Sequence, residues 1–343
     1  MEIYVLGNSR SGTTMMGRIL NNHDSIHTFN ELHFFEEIYT DKSAETKLNK
    51  EEQKRILSIL LSRNRVGYLQ EDQSNSFAQE ASDFSKNLSD NCTLLDLYSI
   101  FLNQETLIHS KLHSCDQTPR NIFYLDTLLQ DSNKKIILMI RDPRAVLLSQ
   151  KKKWKRRYLG ASQIPLKESI RSWSNYHPYT ISKMWNTTAR LASYYSSHPN
   201  VFQVKYEELI DNPELTVKSI CDFLEIEYQN KMLSIPKVGS SNASDSSSEK
   251  GIIKNDNSAW EKELDKAEIA ICQAINKDVM LNLEYPEYSM GALNKFLYPY
   301  YLVTFICKTS ISLLMNMKRI KNLPETIQRR FLPQHTKQRN DAA

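Results

Sequence analysis

Residues Ile3 to Thr14 read IYVLGNSRSGTT, and the architecture follows from how that stretch is parsed. Ile3–Leu6 is a short apolar run of the kind that forms a parallel strand buried on both faces. From Gly7 to Gly12 the chain has the G-x-x-x-x-G spacing of a phosphate-cradling loop, and Thr13–Asn21 reads as a helix that opens at Gly12. A strand that turns through glycine into a helix aims several backbone N–H groups, and the positive end of the helix dipole, at one point. Ser9, Ser11, Thr13 and Thr14 add hydroxyls there. A nucleoside-triphosphatase loop would carry a lysine where Thr13 stands, to reach the β- and γ-phosphates. Here Arg10 brings the charge from inside the loop, and a guanidinium forks onto two oxygens of one terminal group. The loop suits a single 5′-phosphate bearing another group better than a triphosphate.

Two more runs, Ile136–Ile140 and Val201–Val204, also read as buried strands, each followed by polar residues and a helical pattern. That alternation implies an α/β fold, a P-loop-like central parallel sheet flanked by helices, with ligands held beyond the carboxyl ends of the strands. The helical candidates are Glu51–Leu61, Cys92–Ser110, Pro213–Leu224, which opens on a proline, and Ala259–Ile275. Gly239–Lys250 is serine-rich and loop-like.

At 40% hydrophobic and 24% charged residues, the 343-residue chain has the balance of a soluble globular protein and buries a full core. Its five cysteines are scattered and odd in number, which points to reduced thiols in a cytoplasmic protein rather than a disulfide frame or zinc site. Strand-like residues begin at position 3, so an export signal is not expected. After Gly291 the texture changes. Phe296–Met317 is aromatic and aliphatic but interrupted by Lys308. It reads as a helix packed on the domain. A helix lying at a membrane surface is the alternative, and a spanning helix the least favoured reading.

The segments SRSGTT and MMGRILNNH resemble the 5′-phosphosulfate loop of sulfotransferases that use 3′-phosphoadenosine 5′-phosphosulfate (PAPS), in their bacterial and tyrosyl-protein-type branch. IILMIRDPRAVLLSQ resembles the 3′-phosphate motif of the same family, a strand, an Arg-Asp-Pro turn and a helix bearing a serine. The resemblance covers roughly residues 1–290 and leaves 291–343 as a helical, partly apolar tail. It implies that Arg141 and Ser149 grip a 3′-phosphate and that Tyr206, in KYEEL, touches the adenosine. It implies that Ser240 and Ser241 lie in a loop closing over the cofactor, and that Arg10 steadies the leaving phosphate. TPRNIFYLD (Thr118–Asp126) is a further shared segment. In FNELHFFEE the resemblance favours Glu31 as the base, with His33 the other candidate. A carboxylate is a weak base toward an alcohol unless burial raises its pKa.

The implied reaction moves a sulfuryl group from PAPS to an acceptor hydroxyl on a carbohydrate, glycolipid or other small molecule, and needs no metal. A P-loop kinase, with Asp142 holding Mg²⁺, and a non-catalytic nucleotide-binding relative are the alternatives. Lys151–Arg157 (KKKWKRR) reads either as a solvated helix face or as a cationic rim for an acidic substrate, membrane surface or cofactor phosphate. One tryptophan without a stacking series does not support nucleic acid. If the tail is instead an interfacial helix, it is the segment through which peripheral membrane association would run.

Overall fold

The computed structural model describes residues 1–68, 73–159, 164–237, 246–252, 257–291 and 297–332. The strands β1 (Glu2–Gly7), β2 (Ile26–Thr28), β3 (His113–Asp116), β4 (Lys134–Ile140) and β5 (Val201–Lys205) form one sheet of order β2-β3-β1-β4-β5. Every neighbouring pair is parallel. The three apolar runs became β1, β4 and β5. The two strands at the β2 edge were not anticipated, because Ile26-His27-Thr28 and His113–Asp116 contain no apolar run.

Alternation along the strands feeds two cores. Tyr4, Leu6, Ile136 and Leu138 point to one face, and Ile3, Val5, Ile137 and Met139 to the other. The second face is covered by α1 (Thr13–Asn21), through Met16, Ile19 and Leu20. The first is covered by α2 (Lys50–Arg65), α3 (Leu94–Ile108) and α4 (Pro143–Lys152), and, after α5 (Leu166–Ser174), which adds no apolar side chain to that core, by α6 (Pro178–Tyr195), with α7 (Pro213–Leu224) returning to the α1 side. Asn49 with Glu52, and Thr93 with Asp96, form reciprocal capping boxes that set where α2 and α3 begin.

Two expected elements are corrected. The segment Ala259–Ile275 is not one helix. A single turn, Trp260–Glu263, is followed by a break and then α8 (Lys266–Asn282). Asp265 and Glu268 make a capping box, and a cap restarts a helix rather than continuing one. Gly239–Lys250 is not all loop. Ser246–Lys250 is a strand, β7, antiparallel to β6 (Pro236–Lys237). Ser240 and Ser241 lie outside the described residues.

The tail forms α9 (Leu297–Asn316) and α10 (Leu323–Phe331). One face of α9 lies on the α5–α6 corner, where Lys308 Nζ donates to the Tyr176 carbonyl at 3.1 Å and Ser312 Oγ to Asn175 Oδ1 at 2.6 Å. Leu302, Val303, Ile306 and Leu314 on α9 are exposed. No helix among the described residues is long and apolar enough to cross a membrane. The helix α10 is fastened by charge. Arg330 Nε donates to buried Glu36 at 2.7 Å, and Arg329 pairs with Asp41 at 2.7 Å and Asp126 at 3.0 Å.

Gly7 ends β1 with φ 151°, and a Cβ there would stand 2.4 Å from the Met139 carbonyl oxygen of β4. Neither backbone can retreat without breaking the ladder. Gly7→Ala is expected to destabilise the protein by about 3 kcal/mol or more, measured by urea unfolding; a loss under about 1 kcal/mol would contradict this packing.

Candidate active site

Gly7 pairs with Met139 in the β1–β4 register, so the loop after β1 and the turn after β4 leave the same sheet edge side by side. They are bonded to each other. Arg141 Nη1 donates to the Arg10 carbonyl at 3.2 Å, Arg10 Nε to Ser149 Oγ at 3.0 Å, and Gln150 Nε2 to the Ser9 carbonyl at 3.2 Å. Tyr206, the first residue after β5, wedges beneath both. The Arg141 guanidinium stacks 4.1 Å over its ring, and a Cβ added to Gly12 would sit 2.6 Å from that ring. Gly12 caps α1 at φ 93°, and Arg10 itself has φ 79°, a left-handed conformation uncommon away from glycine. Such a residue is held there by its surroundings.

These parts line a cavity of about 610 Å³, together with Ser9, Thr13, Thr14, Glu31, His33, Lys153 and Arg156. The loop residue Ser11 is different. It is fully buried, its amide closes the turn onto Asn8 at 3.1 Å, and its Oγ has no hydrogen-bond partner. Arg141 Nε is likewise buried without a partner. Orphaned donors are uncommon in interiors, and Arg141 lines a cationic cavity at a helix N-terminus, a set suited to anionic oxygens.

Burial pushes the Arg10 pKa down to about 10, and Arg156 and Arg141 add to the shift. Burial and the repulsion of Arg10 push Lys153 down to about 7. The positive groups are crowded enough to disfavour one another, and a bound anion would relieve that. Glu31 departs from expectation. Burial does raise its pKa, but the hydrogen bond from His33 at 3.1 Å, with the charges of Lys153 and Arg120, wins and holds it below the ordinary carboxylate range. Glu31 and His33 are one hydrogen-bonded pair, so the choice between them is not a choice between separate sites.

The TPRN segment sets that pair in place. Buried Asp116 accepts from Tyr98 Oη at 2.6 Å, Thr118 Oγ1 at 2.6 Å and Asn121 Nδ2 at 2.6 Å, and Thr118 Oγ1 accepts from the Leu32 amide at 3.0 Å. Thr118 and Asn121 are bracing residues, whereas Pro119 and Arg120 between them face the cavity.

The basic run divides. Lys151 and Lys152, at the end of α4, pair with Glu268 (2.7 Å) and Glu263. The chain then tightens into a 3₁₀ turn, Lys153–Tyr158, which swings Lys153 and Arg156 into the cavity. Asp142 caps α4 and pairs with Arg144 at 2.7 Å, which commits its carboxylate. The aromatics Trp173, Tyr176, Tyr179 and Trp185 do not line the cavity. Tyr68 does, stacked 3.7 Å from the His33 ring. Among the described residues no group of three His, Cys, Asp or Glu side chains could hold a metal ion.

A model of the sulfotransferase family matches residues 2–230. The chain belongs to that family. Two curated relatives, the putative protein-tyrosine sulfotransferases of Caenorhabditis briggsae and Caenorhabditis elegans, are each 27% identical over 143 residues, 40% of this chain. The matches cover 46% and 50% of those proteins, so the chain spans about half the length of the curated relatives it matches. Among solved structures, the sulfotransferase domain from the Curacin biosynthetic pathway is similar with a TM-score of 0.51 at 18% identity, over 83% of this chain and 98% of that domain. That likeness is one of fold.

In this sulfotransferase-family chain, Tyr68, Arg120, Lys153 and the tail residues Arg319 and Arg330 line the cavity without having been singled out from the sequence. Only Arg120 and Lys153 lie inside segments that carried a signal. Lys153 offers a direct check. Its reactivity toward an acylating reagent is expected to rise with a midpoint near pH 7, about where its amine loses the proton, while exposed lysines rise near pH 10. A Lys153 profile that follows the exposed lysines would contradict the crowded cation cluster.

Proposed function

We propose that this chain transfers a sulfuryl group from PAPS to an acceptor hydroxyl. One observation carries the reading: Arg10 and Arg141 lie on two different loops yet are bonded into a single anion-holding floor, with Glu31 on the same cavity. Such a floor suits a donor with phosphates at both ends of one nucleoside. PAPS would supply the activated sulfuryl group. Arg10, Ser9, Gly12, Thr13 and Thr14 would hold the 5′ end and Arg141, Ser149 and Tyr206 the 3′ end.

The residues then have separable tasks. Glu31, oriented by His33, takes the proton from the acceptor hydroxyl as the new sulfur–oxygen bond forms. Arg10 and the first-turn amides of α1 stabilise the negative charge left on the departing 5′-phosphate oxygen as the old sulfur–oxygen bond breaks. The products are a sulfated acceptor and adenosine 3′,5′-bisphosphate. The low pKa of Glu31 makes it a weak base, which fits a reaction whose acceptor gives up its proton late, as in loose group-transfer transition states. A phenolic hydroxyl suits so weak a base better than an alkyl alcohol, and the two relatives' names point the same way. The kinase reading loses support because Asp142 is committed to Arg144. The exposed apolar face of α9 is the surface we assign to peripheral membrane contact.

Arg10→Ala is expected to lower transfer from labelled PAPS by about 10²-fold or more with the fold intact; retained turnover would remove Arg10 from the mechanism. Glu31→Gln is expected to cut the rate strongly while the affinity for adenosine 3′,5′-bisphosphate, measured by calorimetry, changes little. An unchanged rate would move the base elsewhere. The wild-type protein is expected to bind the bisphosphate without metal and in preference to ATP with Mg²⁺; the reverse preference would favour a kinase.

A further inference from the structure

The cavity continues past Glu31, away from the two phosphate loops, and there its wall changes character. His33 stacks on Tyr68, and Tyr68 is covered by the Arg319 guanidinium at 5.0 Å. Arg319 pairs with Glu168 at 2.8 Å, and Arg171 takes the same carboxylate at 2.6 Å. Two guanidinium groups therefore share the Glu168 carboxylate. The outer nitrogen of Arg319, Nη1, is buried with no hydrogen-bond partner.

Arg120 adds to the surplus. It lines the same cavity, its charge helps hold the Glu31 carboxylate ionised, and it feels the repulsion of Arg330 and Arg171 against the attraction of Glu36. Among the described residues no hydrogen bond or ion pair reaches its guanidinium. Glu36 attracts it from a distance but spends its hydrogen bonds on a two-pronged pair with Arg330. Arginine does not shed its proton to escape burial, so the positive charge beyond Glu31 calls for an anion from outside the chain. The opposite wall is apolar and comes from the tail: Leu313 on α9, Ile320 after it, and Ile327 and Phe331 on α10.

We infer that the acceptor is an amphipathic anion. Its hydroxyl reaches Glu31, a carboxylate, phosphate or sulfate on the same molecule lies between Arg120 and Arg319, and its apolar part lies along α9 and α10. The inference rests on the sulfotransferase reading for the hydroxyl, but its charge and apolar requirements come from residues outside the donor floor. It makes the tail a determinant of acceptor choice.

A matched pair of probes tests this. N-octanoyl-tyrosine and its methyl ester have the same hydroxyl and the same apolar chain and differ by one carboxylate. Calorimetry on the full chain, saturated with adenosine 3′,5′-bisphosphate, is expected to give at least about tenfold tighter binding of the acid, the worth of one charge-assisted contact. Arg120→Gln and Arg319→Gln are each expected to reduce that preference to about threefold or less. Ester binding and bisphosphate affinity should stay within about twofold of wild type. Arg319→Lys, which keeps the charge on Glu168, serves if Arg319→Gln loosens the tail.

Equal binding of acid and ester by the wild type, a preference that survives both substitutions, or binding of neither probe would overturn the inference. If inorganic phosphate abolishes the acid's preference at equimolar concentration, the site holds free anions, and the inference fails in that way too. Failure of the bisphosphate to bind would sink the sulfotransferase reading instead. The acid-over-ester comparison, repeated without the bisphosphate, would still decide the acceptor charge.

Discussion

The parallel hydrogen-bonded register of β1 against β4 is the constraint on which the rest depends. Gly7 opposite Met139 brings two loops to one edge, where Arg141 Nη1 reaches the carbonyl of Arg10, 131 residues earlier in the chain, and Arg10 Nε reaches Ser149. A slip of one residue would reverse the facing of every side chain in β4 and exchange the two cores. Glycine at position 7 keeps the strands close to the end of the ladder, and glycine at position 12 leaves room for Tyr206 to pack under both loops.

The site assembled this way is costly to fold. Arg10, Lys153, Arg156 and Arg120 converge on a common cavity, Glu31 is the carboxylate that offsets Arg10 and Lys153, and both of those are still pushed below their ordinary pKa ranges. The rest of the structure holds the cluster together. Asp116 gathers Tyr98, Thr118 and Asn121 at the end of β3, and Thr118 carries the bracing on to the Leu32 amide beside Glu31. A preorganised cluster of this kind repays its folding cost when an anion binds, because the charges need no rearrangement at that moment.

The tail belongs to this electrostatic arrangement as much as to the packing. Glu36 and Glu168 are contributed by the chain before residue 290, yet each is neutralised by an arginine from the tail, Arg330 and Arg319. The same tail gives the cavity its apolar wall. Acceptor recognition and the docking of the tail therefore draw on shared residues.

Local sequence alone determined the phosphate loop, the Arg-Asp-Pro turn and the three apolar strands β1, β4 and β5. Each is specified by chain-neighbour effects: an apolar run, a glycine that turns it, and a helix start. For the same reason α1 and α7 have the bounds that their patterns announce, and the restart at Asp265 was legible in a capping box that the apolar periodicity overshadowed. Tertiary structure decided what no neighbour effect encodes. The run KKKWKRR is uniform in charge, and only the tightening of the chain after Lys152 sends some of its cations to Glu268 and Glu263 and others into the cavity. Glu31 is a carboxylate whose pKa depends on His33, Lys153 and Arg120, three groups from three segments. Arg319 and Phe331 reach the cavity only because ion pairs with residues far earlier in the chain fold the tail back over it.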